Sequence, residues 1–221
     1  MANRSYLYNL DFNRLERAKT KEDEVLGVSE YAYEIPLSYK ILLSVNPKNT
    51  YSILWDYKHP IAISGDANAG KSRLLKFVDE LKSKEIFDSK YIQDKIDTTK
   101  RFFNENEFSL KYFFLEGGEL YQMDDTPFEN QNLDIYEQIK NIDETIEIFY
   151  SKVTELNQEI DKLKIKKNEM TKNSWFKKQK YVLSENERVK IEKEIQNKNV
   201  SKQELLGIDN WSKILYFHFG E

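Results

Sequence analysis

Cysteine is absent from this sequence, histidine occurs twice, proline four times and glycine seven times among 221 residues. The lack of cysteine excludes disulfides and thiolate metal sites. His59 and His218 form no zinc site unless several carboxylates converge on them, so no metal is expected. No apolar run approaches the roughly 18 residues that a membrane span needs, and the opening MANRSYLYNLDF carries one arginine and no apolar stretch of signal-peptide length. A cytoplasmic protein without membrane association is therefore expected. What the chain does contain is 39% hydrophobic and 14% aromatic residues, enough for a substantial core. Its 33% charged residues point to long exposed helices as well.

The first 130 residues alternate strand-like and helix-like patterns. Residues 5–10, SYLYNL, alternate as a half-buried strand does, and YSILWDY (51–57) and PIAIS (60–64) also read as strands. Pro36 opens a helix whose apolar face holds Leu37, Ile41, Leu42 and Val45. Two more helices follow from the spacing of Leu74, Phe77, Val78 and Leu81, and of Ile92, Ile96, Thr99 and Phe103. LKYFFLE (110–116) is a strand closed by the turn Gly117-Gly118. The expected fold is an α+β, or small α/β, sheet domain. Carboxylates around that turn (Glu116, Glu119, Asp124 and Asp125) are read as a solvated loop rather than an acid and base pair.

From Ile135 the pattern changes to a heptad seam through Ile139, Ile142, Ile146, Phe149, Val153, Leu156, Ile160 and Leu163, with β-branched residues in one of its two sets. A second helix starts at a capping box, Ser184 with Glu187, holds Val189, Ile191 and Ile195, and ends at Gly207. This predicts a long antiparallel helical hairpin, residues 133–206, inserted into a body made of 1–132 and 207–221. The closing WSKILYFHF (211–219) is read as a strand that returns to the sheet. The seam also allows a homodimer through the hairpin. Residues 162–180 hold eight lysines against one glutamate, a local charge of +7 in a chain of −4 overall. Trp175 and Phe176 in that segment are candidate anchors for a protein partner, with Lys177 and Lys178 fixing register. The plainer reading is a solvated helix end. Nucleic-acid binding through this tip is not expected to be the main role.

GDANAGKS (65–72) matches the phosphate-loop pattern G-x-x-x-x-G-K-[ST] letter for letter, after a strand. In such a loop Gly65 and Gly70 let amides close around phosphates, Lys71 reaches the terminal phosphate and Ser72 binds magnesium, so Mg-ATP or Mg-GTP is the implied cofactor. The context argues otherwise. A nucleotide-hydrolysing domain of this type needs a parallel sheet of about five strands and an aspartate ending a second one; here Glu116 stands in the matching place and too few strands follow. The residues favour a strand ending in a turn over a nucleotide site, and no catalytic residue is assigned.

Five short stretches, MANRSYLY, GVSEYAYEIP (27–36), IAISGD (61–66), FFLEGGELY (113–121) and WSKILYF (211–217), make the chain resemble an uncharacterised bacterial family. The resemblance implies a small cytosolic partner protein, of the toxin-immunity kind in some members, without established enzyme activity. The leading expectation is thus a non-enzymatic binding protein that neutralises a toxin by covering it. Its mostly acidic body suits a basic toxin. The alternative is a nucleotide-binding protein using Gly65, Gly70, Lys71 and Ser72.

Overall fold

The computed structural model describes residues 3–106, 108–176 and 185–217, with side chains except at 169–176 and 185. It divides into two compact units, Met1–Ile146 with Leu206–Glu221, and Glu147–Leu205. The first is an α+β body. Its sheet contains β1 (Arg4–Leu10), β2 (Val25–Ala32), β3 (Lys48–Thr50), β4 (Ala62–Asp66) and β5 (Tyr112–Glu116). The order is β2-β1-β5-β4-β3 and every neighbouring pair is antiparallel.

Side chains alternate between the two faces of a strand, and the register shows which residues share each face. Tyr6, Tyr8, Phe114 and Ala62 share one face and form a buried cluster with Leu10, Phe12, Val25 and Leu215. This face is covered by irregular chain: Ile53 and Leu54 pack against it. The other face, with Leu7, Phe113, Leu115 and Ile63 all buried, is covered by helices: α1 (Leu37–Leu43), α2 (Ala67–Leu81) and α3 (Ser89–Glu105). Two shorter elements follow β5, namely α4 (Gly118–Tyr121) and α5 (Phe128–Lys140), and α5 lies along the edge strand β3.

The sequence reading of β1, β4, β5 and the three helices agrees with these elements; three expectations are corrected and one strand, β2, was not read from the sequence. YSILWDY is not a strand. The Ser52 hydroxyl accepts from the Leu54 and Trp55 amides at 3.0 and 2.7 Å, which curls the chain into a turn. β2 carries no clean alternation because the β1–β2 register shifts between Leu7 and Tyr8, a bulge that moves later residues to the opposite face. Within residues 211–217 a single bridge, Ser29 to Trp211, pairs with β2; Leu215 is buried, but Phe217 is 40% exposed, so the alternation fails there. His218 and Phe219 lie outside the described residues. The segment is held instead by Trp211, whose indole N–H donates to Thr99 Oγ1 at 2.9 Å and whose ring stacks on Phe102. Last, Gly117 and Gly118 do not form a loop turn but lead directly into α4.

The second unit is built from α6 (Ile142–Phe176), which begins in the body, and α7 (Glu185–Leu206). The seam is not one helix from Ile135, because α5 ends at Lys140 and α6 starts after Asn141. Seam residues Phe149, Val153 and Ile160 are buried in this unit, as is Ile191 of α7, whereas Val189 is 56% exposed. The pairs Asn157–Lys202, Glu159–Lys198 and Lys167–Glu192 set an antiparallel register. Ser184, the expected cap of α7, lies outside the described residues. Gly207 ends α7 in the left-handed conformation, φ +64°, that glycine adopts without strain.

Candidate functional site

Residues 65–72 pass from strand to helix with no loop between them. Gly65 lies in β4, Asp66 both ends that strand and is the N-cap, and α2 begins at Ala67. The Asp66 carboxylate accepts from the Ala69 amide at 2.9 Å, so the helix start, where a phosphate would sit, is filled by the chain's own carboxylate. The Asp66 amide donates to Val45 O and that of Ala67 to Lys111 O. The two glycines serve packing: a Cβ at Gly65 or Gly70 would collide with the carbonyl oxygens of Leu43 or Leu42. Lys71 Nζ donates to Phe103 O at 2.5 Å and Ser72 Oγ to Asn68 O at 2.9 Å. The strand thus runs into the helix without the loop that the phosphate-loop pattern implies, and α1 crosses both β4 and α2 too closely for side chains at Gly65 and Gly70.

The chemically unusual group of the body is Glu116, which is completely buried. Its oxygens accept from Ser52 Oγ at 2.8 and 3.0 Å and from the Ile53 amide at 2.6 Å. Desolvation raises its pKa from the ordinary 4.5 to about 7 and outweighs these donors, which favour the ionised form. Burial thus raises the proton affinity of Glu116 in a place closed to solvent. Its neighbours follow the same pattern: burial raises Tyr6 and Tyr8, whose hydroxyls donate to Glu119 at 3.0 Å and to Phe217 O at 2.8 Å. Glu119 also accepts from the Arg4 amide at 2.8 Å, and Asp124 from that of Thr126 at 2.7 Å. The carboxylates expected to form one solvated loop therefore diverge, with Glu116 inside and Asp124 and Asp125 outside. Alternation carried the missed signal: Tyr112, Phe114 and Glu116 share a face, and two of them are aromatic.

An open groove of about 410 Å³ lies between the link from β2 to α1, α4 and α5. Its lining includes Tyr33, Glu34, Leu120, Asp134 and Ile135, and also Lys40, whose ammonium donates to Gln138 Oε1 at 2.9 Å. Tyr33 is 62% exposed and adopts φ +64°. No spacing in the sequence marks this groove, because its walls come from four separate segments.

The side chains of Trp175 and Phe176, and Lys177 and Lys178 entirely, lie outside the described residues. Charge nevertheless divides clearly between the units. Glu147–Leu205 holds 14 Lys and Arg against 10 Asp and Glu, a net +4, which leaves 20 against 28, or −8, for the body. Among the described residues no cluster of three potential ligands is placed to hold a metal ion. No described helix is long and apolar enough to cross a membrane.

Together these features define an α+β sheet protein with a long helical hairpin, its acidic and basic parts segregated. The chain belongs to the family described as a domain of unknown function, DUF7822, whose model matches residues 13–161. The match runs from the turn after β1 into α6. Neither a curated protein nor a solved structure matches the chain.

Proposed function

We propose that this chain is a non-enzymatic, cytoplasmic protein-binding protein of the toxin-immunity kind, which neutralises a basic toxin by covering its active surface. The observation that carries the reading is the body's net charge of −8 beside a hairpin of +4. Segregated charge steers encounter with a partner of opposite sign and penalises wrong ones. The fate of the reactive groups points the same way: Lys71 is engaged with a carbonyl, and Glu116 with Ser52 and Ile53. The acidic body rather than the lysine-rich hairpin makes the contact, since a basic tip and a basic toxin repel.

The test is affinity capture from the source cells, mass spectrometry of what is retained, and titration of that protein's activity with the purified chain. The expected result is a basic partner whose activity falls to zero at one-to-one stoichiometry, with association slowed by salt. A thermal shift with Mg-ATP and Mg-GTP runs beside it. A rise in melting temperature for the wild type that Lys71→Ala abolishes would overturn the proposal in favour of nucleotide binding.

A further inference from the structure

We propose that Lys202, buried inside the hairpin and bonded to Asn157, selects the register of α7 on α6. The apolar seam by itself does not select one. On α6, Val153 and Ile160 stand seven residues apart, and so do Phe149, Leu156 and Leu163. Sliding α7 by seven residues, about 10 Å along the helix, therefore brings it to an equivalent apolar surface. A strict seven-residue repeat fixes which faces meet, not where along each other two helices stop. The inward face of α7 is different. Ile191, Ile195, Lys198 and Lys202 recur at steps of four, three and four, so two seam positions in succession are lysines. Lys202 is only 5% exposed.

Polar pairing breaks the degeneracy. In the observed register Lys202 Nζ donates to Asn157 Oδ1 at 2.8 Å, while Lys198 meets Glu159 and Lys167 meets Glu192, both at 2.6 Å. A slip of seven residues one way sets Lys202 against Lys164 and Lys198 against Lys166. The opposite slip sets Lys202 against Tyr150, Lys198 against Lys152 and Glu192 against Ile160. Either way Lys198 faces a like charge. The three contacts do not weigh equally. Glu159 and Glu192 are about half exposed, and ion pairs in such surroundings contribute little. Lys202 is almost out of water, where an ammonium deprived of its acceptor costs far more. A polar residue in a helical seam gives up stability in exchange for a single register. The same trade accounts for the irregular apolar spacing of α7.

The absence of cysteine allows the register to be measured in the full chain with two nitroxide labels, at Ser151→Cys on α6 and Glu194→Cys on α7, both exposed positions. Pulsed electron paramagnetic resonance then reads the distance between them. With Lys202 in place a single narrow distance is expected. Lys202→Leu should add a second distance, displaced by up to about 10 Å, which is the slip of seven residues. Its urea midpoint should hold or rise and its helix content should be unchanged, because leucine fills the seam with no charge to satisfy. Asn157→Asp keeps an acceptor for the ammonium and should keep the single distance. One unaltered distance in Lys202→Leu overturns the proposal and leaves the register to the ends of the two helices. Two distances with Lys202 present overturn it as well. A Lys202→Leu chain that loses helix or unfolds at lower urea shows a residue that supplies stability rather than register, and this too refutes the assignment.

Discussion

Replacing Glu116 by glutamine tests the buried carboxyl directly. In the unfolded chain this group titrates near 4.5, and in the folded protein near 7. A folded-state pKa above the unfolded one means that the native state binds the proton more tightly. The stabilisation is therefore fully present below pH 4.5 and is lost as pH rises to 7. At about 1.4 kcal/mol for each pH unit separating the two values, the wild type loses about 3 kcal/mol across that window. Glutamine is neutral throughout, and its amide oxygen can accept from the Ile53 amide and from the Ser52 hydroxyl, whose own lone pairs take the Leu54 and Trp55 amides; any offset this causes does not vary with pH. Urea unfolding of both proteins between pH 4 and 8 is the assay, with the difference in their stabilities plotted against pH. The wild type should lose about 3 kcal/mol relative to Glu116→Gln as pH rises, then run parallel to it. Carboxyls held low by partners, such as Asp23 beside Arg17, lose stabilisation on acidification in both proteins alike and cancel. Parallel curves throughout, or a wild type that gains on the variant with rising pH, would refute the argument that desolvation outweighs the three hydrogen bonds.

Three further outcomes follow from packing. Gly70→Ala should destabilise the body by about 2 kcal/mol or more in urea unfolding, despite alanine's better helix propensity, because its methyl meets the Leu42 carbonyl. Lys71→Ala should cost no more than about 1 kcal/mol in the same assay, since it removes one hydrogen bond at a half-buried site. Trp211→Phe should cost about 1–2 kcal/mol by leaving the buried Thr99 hydroxyl without its donor, whereas Ile214→Ser, at a residue 83% exposed, should change stability by less than about 0.5 kcal/mol.

Local pattern by itself determined much of this protein. Apolar spacing at 70–81 and 92–103, the alternation in SYLYNL and YFFLE, and the seam through Phe149, Val153 and Ile160 each describe burial along one element, and such periodicity is written in neighbouring residues. Gly207 likewise marks the end of α7 locally. Tertiary structure alone decided the rest. The sheet order follows from which strands meet across long loops, and β2 was hidden by a bulge whose partner, β1, lies some twenty residues earlier. GDANAGKS became a strand, a cap and a helix because α1 presses its Leu42 and Leu43 carbonyls on the two glycines, a contact with residues more than twenty positions away. Glu116 became a carboxyl of raised pKa because distant parts of the chain bury it, against the pull of the Ser52 and Ile53 donors, and the groove exists because four separate segments converge. A residue's periodicity reports whether it is buried; its chemistry depends on what it is buried against, and that is fixed only when distant parts of the chain meet.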